Sequence, residues 1–359
     1  MEQRALPVAE RLLSLRPVSW SEEEVRTGTA GLGWEWVATE RGVSLSTGHP
    51  AGDARLTRVE SHNVDHTDGE EVLGLHQPLE TVEGGTREHV EAFRRAFGEL
   101  REGYGHPGVM GAYDTLASHF SGSPSWGAPF ARWRDGELSL ELRAALTGPV
   151  LTLLPSGPLE SWYRRSYENC DGRMSGFLAI ALEPLPFGDL SGMTMPGVNR
   201  HEDWKEYARL LSASLGTMAA EMTALGLERS FGLHGRLPGA GGPWVFGFDI
   251  GETMRLALYA AAGEGEVDLE DLEPEERGWI RATAPEDLEY EIAFHTEPTP
   301  YDEVNGTRLA MMVMEMAEDL GIPFPSDLSL TDWADRVQGG DGRPEYHLYH
   351  HGLGVIGNP

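Results

Sequence analysis

Along this chain, stretches whose apolar residues recur at every second position alternate with stretches where they recur every three or four. Near the start Val8, Leu12 and Leu15 hold helical spacing until Pro17 ends the segment. A second helix is predicted from Ser21, whose hydroxyl can cap the first turn while Glu24 reaches back. Glu22 to Glu24 also suit the positive end of the helix dipole. Residues 34–47 read as two strands about Arg41-Gly42, and residues 54–66 as a third. From Thr86, the positions Val90, Phe93, Phe97, Leu100 and Tyr104 line one face of a helix that Gly105 and Pro107 close.

Residues 130–142 alternate about Asp135-Gly136, a pair suited to the positive φ angles of a type I′ hairpin. Trp204, Tyr207, Leu211, Leu215, Met218, Met222 and Leu225 then form a long apolar stripe, and residues 244–262 a second hairpin. Leu288, Tyr290, Ile292 and Phe294 alternate with glutamates as a half-exposed strand, followed by a helix carrying Leu309, Met312, Val313, Met316 and Leu320. Residues 329–337 suggest a short helix and residues 344–355 a final strand or hairpin.

One order recurs within this pattern: a strand, a proline, a loop, and a helix that ends near Leu-Gly. It begins at Leu73, Phe177 and Leu288, with Pro78, Pro184 and Pro298 after the three strands. The second and third copies share Glu-Pro-x-Pro-aromatic, at Glu183 to Phe187 and Glu297 to Tyr301, and the first and third share Thr-Arg at the helix start. Such self-similarity predicts repeated supersecondary units. Proline after a strand and glycine after a helix are also ordinary punctuation, so both readings stand at this point. The expected architecture is α+β: tandem related units of antiparallel sheet, each backed by a long helix. The units are drawn at residues 1–170, 171–285 and 286–359, the last packed with the second.

Composition narrows the class of function. The 359 residues are 40% hydrophobic and 24% charged, an ordinary globular balance with enough length for sizeable cores. No apolar run is long enough to span a bilayer, and the charged amino terminus does not read as a signal peptide, so the expected location is the cytoplasm. Cys170 is the only cysteine, which excludes an internal disulfide and a multi-cysteine zinc site; it is expected as a small buried hydrophobe.

The net charge of −30, from 58 acids against 28 bases, repels phosphate backbones and anionic membranes. Nucleic acid and membrane are therefore not expected partners, whereas a basic protein would be steered in quickly. A host with an acidic, arginine-rich proteome would produce the same balance. The densest acidic run, Glu264, Glu266, Asp268, Glu270, Asp271 and Glu273, is the candidate partner-binding patch.

Two histidine clusters are candidate metal ligands. His62, His66 and Asp68 would share one face of a strand, as would His347 and His351. Solvent-facing polar residues are the ordinary reading of the first segment, and a terminal hairpin packed through Tyr346 and Tyr349 that of the second. No nucleophile elbow and no phosphate-binding loop occurs, so no catalytic residue and no cofactor is assigned.

Trp20 before the capped helix, Gly33-Trp34 closing it, the helix from Thr86 to Gly105 with Pro107, and Arg132-Trp133-Arg134 leading the hairpin carry a resemblance. Over about residues 20–154 the chain resembles an uncharacterised actinobacterial domain family of unknown function. The resemblance implies a cytoplasmic α+β protein and supplies no catalytic residues. The expectation is a non-enzymatic acidic binding protein, such as an immunity or inhibitor protein for a basic toxin-like partner. A chaperone-like scaffold using the methionine-rich helix and a metal-dependent hydrolase built on the histidines are the alternatives.

Overall fold

A computed structural model describes residues 5–39, 42–58, 72–112, 124–156, 177–181, 203–236, 243–260, 273–283, 292–330, 336–337, 346–350 and 356–357. The fold is α+β. Helices α1 (Ala5–Leu13), α2 (Glu22–Gly31), α3 (Thr86–Tyr104), α4 (Trp204–Leu225) and α5 (Gly306–Asp319) accompany two sheets. The first sheet contains β1 (Glu35–Thr39), β2 (Gly42–Ser46), β3 (Ala54–Arg58), β4 (Val72–Pro78), β5 (Val109–Ala112), β6 (Pro129–Asp135), β7 (Leu138–Ala145), β8 (Gly148–Pro155) and β9 (Phe177–Ala181). The second contains β10 (Arg229–Arg236), β11 (Pro243–Ile250), β12 (Thr253–Ala260), β13 (Ile280–Ala282), β14 (Ile292–His295), β15 (Thr299–Pro300) and β16 (Ser329–Leu330). The carboxy-terminal strands β17 (Arg336–Val337) and β18 (Tyr346–His350) return to the first sheet, and β19 (Ile356–Gly357) lies beside β16 in the second.

The strand order of the first sheet is β1-β2-β3-β4-β8-β7-β6-β5-β9-β18-β17, and that of the second is β13-β14-β12-β11-β10-β16-β19, with β15 on β12. Both contain the same arrangement. In one, β4 and β5, connected through α3, flank the meander β6-β7-β8; in the other, β14 and β16, connected through α5, flank β10-β11-β12. Each neighbouring pair in these five-strand blocks is antiparallel, so after four reversals the two flanking strands run parallel.

The sheets do not follow the unit limits drawn at residues 171 and 286. β9 pairs with β5 in the first sheet, and β18 pairs with β9. Helices are not divided one to a sheet either: α1 and α3 pack on β7 and β8, while α4 touches β5 and β6 of the first sheet and β11 of the second. That position explains its burial. The predicted stripe is buried, and so are Ser214, Ala219, Ala220, Glu221, Thr223 and Ala224 on its other faces. α5 crosses α4 at Gly306, where a Cβ would stand 2.3 Å from the Ser212 carbonyl oxygen and 2.7 Å from the Gly216 Cα. Only a residue without a side chain allows that approach.

Local signals behave as their chemistry requires. Ser21 caps α2 by accepting from the Glu24 N–H, and the Glu24 carboxylate accepts from the N–H groups of Val18, Ser19 and Trp20. Those bonds hold its pKa below the usual carboxylate range. On α3, Val90, Phe93, Phe97 and Leu100 are all buried. Two expectations need correction. In the β6–β7 hairpin Asp135 pairs with Leu138, and positive φ falls on Gly136 alone, the pattern of a II′ rather than a I′ turn. Where a short helix was expected, Ser329–Leu330 and Arg336–Val337 are strands, because each finds a sheet edge to pair with.

Candidate functional site

Of the residues singled out by charge, Glu264, Glu266, Asp268, Glu270 and Asp271 lie outside the described residues. Glu273 is exposed, with φ of 48°, at the head of a 3-10 turn over Pro274–Arg277. His62, His66, Asp68 and His351 likewise lie outside the described residues, as does Cys170. His347 sits in β18, in register with Ile180 and Arg336. Among the described residues no group of three or more His, Cys, Asp or Glu could hold a metal ion.

The structure draws attention instead to the β11–β12 turn. There a cleft of about 590 Å³ is lined by Glu228, Ser230, Asp249, Ile250, Gly251, Glu252 and Thr253. The turn is held from below, where Thr223 in the last turn of α4 donates to the Gly251 carbonyl oxygen at 2.8 Å. A Cβ on Gly251 would stand 2.9 Å from the Glu228 Cγ, so the Glu228 side chain lies against the turn. In register across β10, β11 and β12, Ser230, Asp249 and Arg255 form one row. Ser230 Oγ donates to Asp249 Oδ1 at 2.6 Å, and Arg255 donates through Nε and Nη2 to Oδ2 at 3.0 and 2.5 Å.

Asp249 therefore spends both oxygens on fixed donors and is poorly placed to act as a base. The Asp249 carboxylate raises the Arg255 pKa, and burial together with the same carboxylate raises that of Tyr259. At the other side of the cleft Glu252 receives Arg94 from α3 at 2.7 Å. Glu228 has no hydrogen-bond or ion-pair partner among the described residues. Two of the three cleft carboxylates thus hold a guanidinium, Arg255 on Asp249 and Arg94 on Glu252, and the excess is the single carboxylate of Glu228.

A second polar constellation crosses the first sheet. His76, Thr152, Glu141 and Arg132 stand opposite one another on β4, β8, β7 and β6. Thr152, Glu141 and Arg132 are 0%, 1% and 3% exposed. Arg132 donates to Glu141 Oε2 from Nε at 2.9 Å and Nη2 at 2.6 Å, and its guanidinium lies 5.3 Å from the Phe130 ring centroid. Arg143 donates to His76 Nδ1 at 2.8 Å. A guanidinium can only donate, so Nδ1 accepts and the neutral ring carries its proton on Nε2. Burial, then the Arg143 charge, holds the His76 pKa well below its ordinary value.

None of these residues was singled out as a site from the sequence. Ser139, Glu141 and Arg143 alternate with Leu138, Leu140 and Leu142, a pattern that reads as a solvated strand face. Here the polar face is covered too, and the row acts as an internal electrostatic seam, remote in the chain from the cleft.

No protein-family model, no curated protein and no solved structure matches the chain.

Proposed function

We propose that this is a non-enzymatic binding protein whose acidic surface recognises a basic protein partner in the cytoplasm, as an immunity or inhibitor protein does for a toxin-like target. The cleft beside the β11–β12 turn carries the reading, because Glu228 faces solvent uncompensated while Glu252 already binds a guanidinium from Arg94. Arg16, Arg87, Arg95, Arg255 and Arg277 pair with Asp135, Asp302, Glu80, Asp249 and Asp319, one acid to each base, so the net charge of −30 stands apart from these pairs. Complementarity of this kind raises association rates more than it adds affinity. We also read the five-strand block shared by the two sheets as a repeated unit, permuted so that its meander follows the strand-helix-strand segment in one sheet and precedes it in the other.

The test is affinity capture from native lysate at about 0.15 M salt, where charges are screened beyond about 8 Å. The bait is compared with two variants of equal charge change, Glu228→Gln with Glu252→Gln, and Glu275→Gln with Glu276→Gln. A basic partner lost with the first pair and kept with the second is the expected outcome. An identical set of captured proteins for both, or none that is basic, refutes the reading.

A further inference from the structure

We infer that Arg94 is a built-in competitor for the cleft beside the β11–β12 turn: its guanidinium holds the place on Glu252 that an arginine of the partner takes, and binding exchanges one for the other. This exchange rests on the cleft being the recognition site proposed above, and it names the group that the site admits. The carboxylates there are not merely close together. A guanidinium from α3 is already bound, with Arg94 Nη1 donating to Glu252 Oε1 at 2.7 Å, and a second one, Arg255, is held by Asp249 through Nε and Nη2. Planar groups with several fixed donors are therefore what this end of the sheet receives.

Two arginines of α3 reach the turns of the second sheet, and Arg94 is the one placed to yield. Arg87 donates to Asp302 at 2.8 Å, and the Asp302 side chain is only 14% exposed. Arg94 and Glu252 are 44% and 56% exposed, and a pair so open to water holds weakly. The turn itself does not depend on Arg94. Tyr301 N–H donates to the Glu252 carbonyl oxygen at 3.2 Å, and Thr223 holds the Gly251 carbonyl at 2.8 Å. With Arg87 still docked, the Arg94 side chain can leave while the receiving carboxylate keeps its position, so the site is ordered before the partner arrives. An arginine entering the cleft also meets Glu228, which lies against Gly251 and which Arg94 leaves without a partner among the described residues.

NMR titration of the full chain with a blocked tetra-arginine peptide at about 0.05 M salt, read at the Gly251 and Glu252 amides, tests the exchange. Arg94→Gln is expected to tighten the probe about two- to fivefold relative to Arg95→Gln, the worth of an exposed ion pair. Arg95 is the control because it is the next residue of α3, is similarly exposed, and pairs with Glu80, which does not line the cleft. Both variants therefore change the net charge alike. With Glu252→Gln the probe binds more weakly, and adding Arg94→Gln gains nothing beyond Arg95→Gln. Equal dissociation constants for Arg94→Gln and Arg95→Gln, or a gain that persists without Glu252, overturn the exchange while the cleft reading stands. Absence of a saturable shift at both amides in all of these proteins overturns the two together.

Discussion

Removing one partner of the buried Arg132 and Glu141 pair is the sharpest test of the first sheet's interior. Their side chains are each 2% exposed and meet at 2.6 Å. Glu141→Leu takes away the carboxylate that faces a guanidinium in a place from which water is excluded, and losses of this kind run to about 3–5 kcal/mol. The Phe130 ring beneath Arg132 remains in the variant and moderates the cost, so a value near the lower end is expected. At roughly 2 °C per kcal/mol for a chain of this size, the thermal midpoint falls by about 6–8 °C. The double variant Arg132→Met with Glu141→Leu removes both charges at similar volume and returns to within about 1 kcal/mol of the parent, or exceeds it. Thermal and urea unfolding of the four proteins in a double-mutant cycle supply the measurement. A loss under about 1 kcal/mol for Glu141→Leu, or a double variant as unstable as the summed singles, refutes the claim that a desolvated ion pair lies in this sheet.

Two further outcomes follow from particular contacts. Gly306→Ala drives a methyl into the backbone of α4 and costs about 1–3 kcal/mol, whereas Gly216→Ala, whose Cβ would meet only the Gly306 Cα at 4.0 Å, is close to neutral; equal melting temperatures for the two variants would contradict the helix crossing. The depressed pKa of His76 means that the unfolded chain takes up its proton first as pH falls, so the stability this ring contributes is complete above pH 6.5 and is lost below it, toward the folded-state pKa. Between about pH 7.5 and 5.5 the parent should therefore lose more thermal stability than His76→Gln, with His49, also depressed by burial, leaving a smaller slope in both. Identical slopes would show that His76 is not buried neutral.

The elements visible in the sequence are those whose signal is local. The Ser21 cap, the apolar faces of α3 and α5, and the alternation around Gly136 depend on residues within about four positions of one another, and each forms as its spacing requires. The hairpin turn was misassigned by type because Asp-Gly suits two turn geometries, and the choice between them follows the strand register. The candidate site was legible only in kind. An excess of carboxylate was evident from composition, but the cleft draws Glu228 from the connection between α4 and β10, Asp249 from β11 and Glu252 from the turn between β11 and β12, with guanidinium groups from α3 and β12 on two of them.

What the sequence determined alone is therefore the strongly periodic helices and hairpins, the α+β class and the sign of the net charge, since propensity, periodicity and charge are properties of short windows or of simple sums, whereas the strands at 329–337 form only because sheet edges receive them. Tertiary structure decided which polar residues are wet. Glu141 and Arg255 both alternate with apolar neighbours along a strand, yet Glu141 is 1% exposed while the Arg255 side chain is 40% exposed. It likewise decided that the carboxy-terminal turns of α4, from Met218 to Leu225, are buried on every face, because the helix lies between two sheets whose strands are far apart in the chain. Burial depends on what the rest of the chain brings to both sides of a strand or helix, and no local window contains that information.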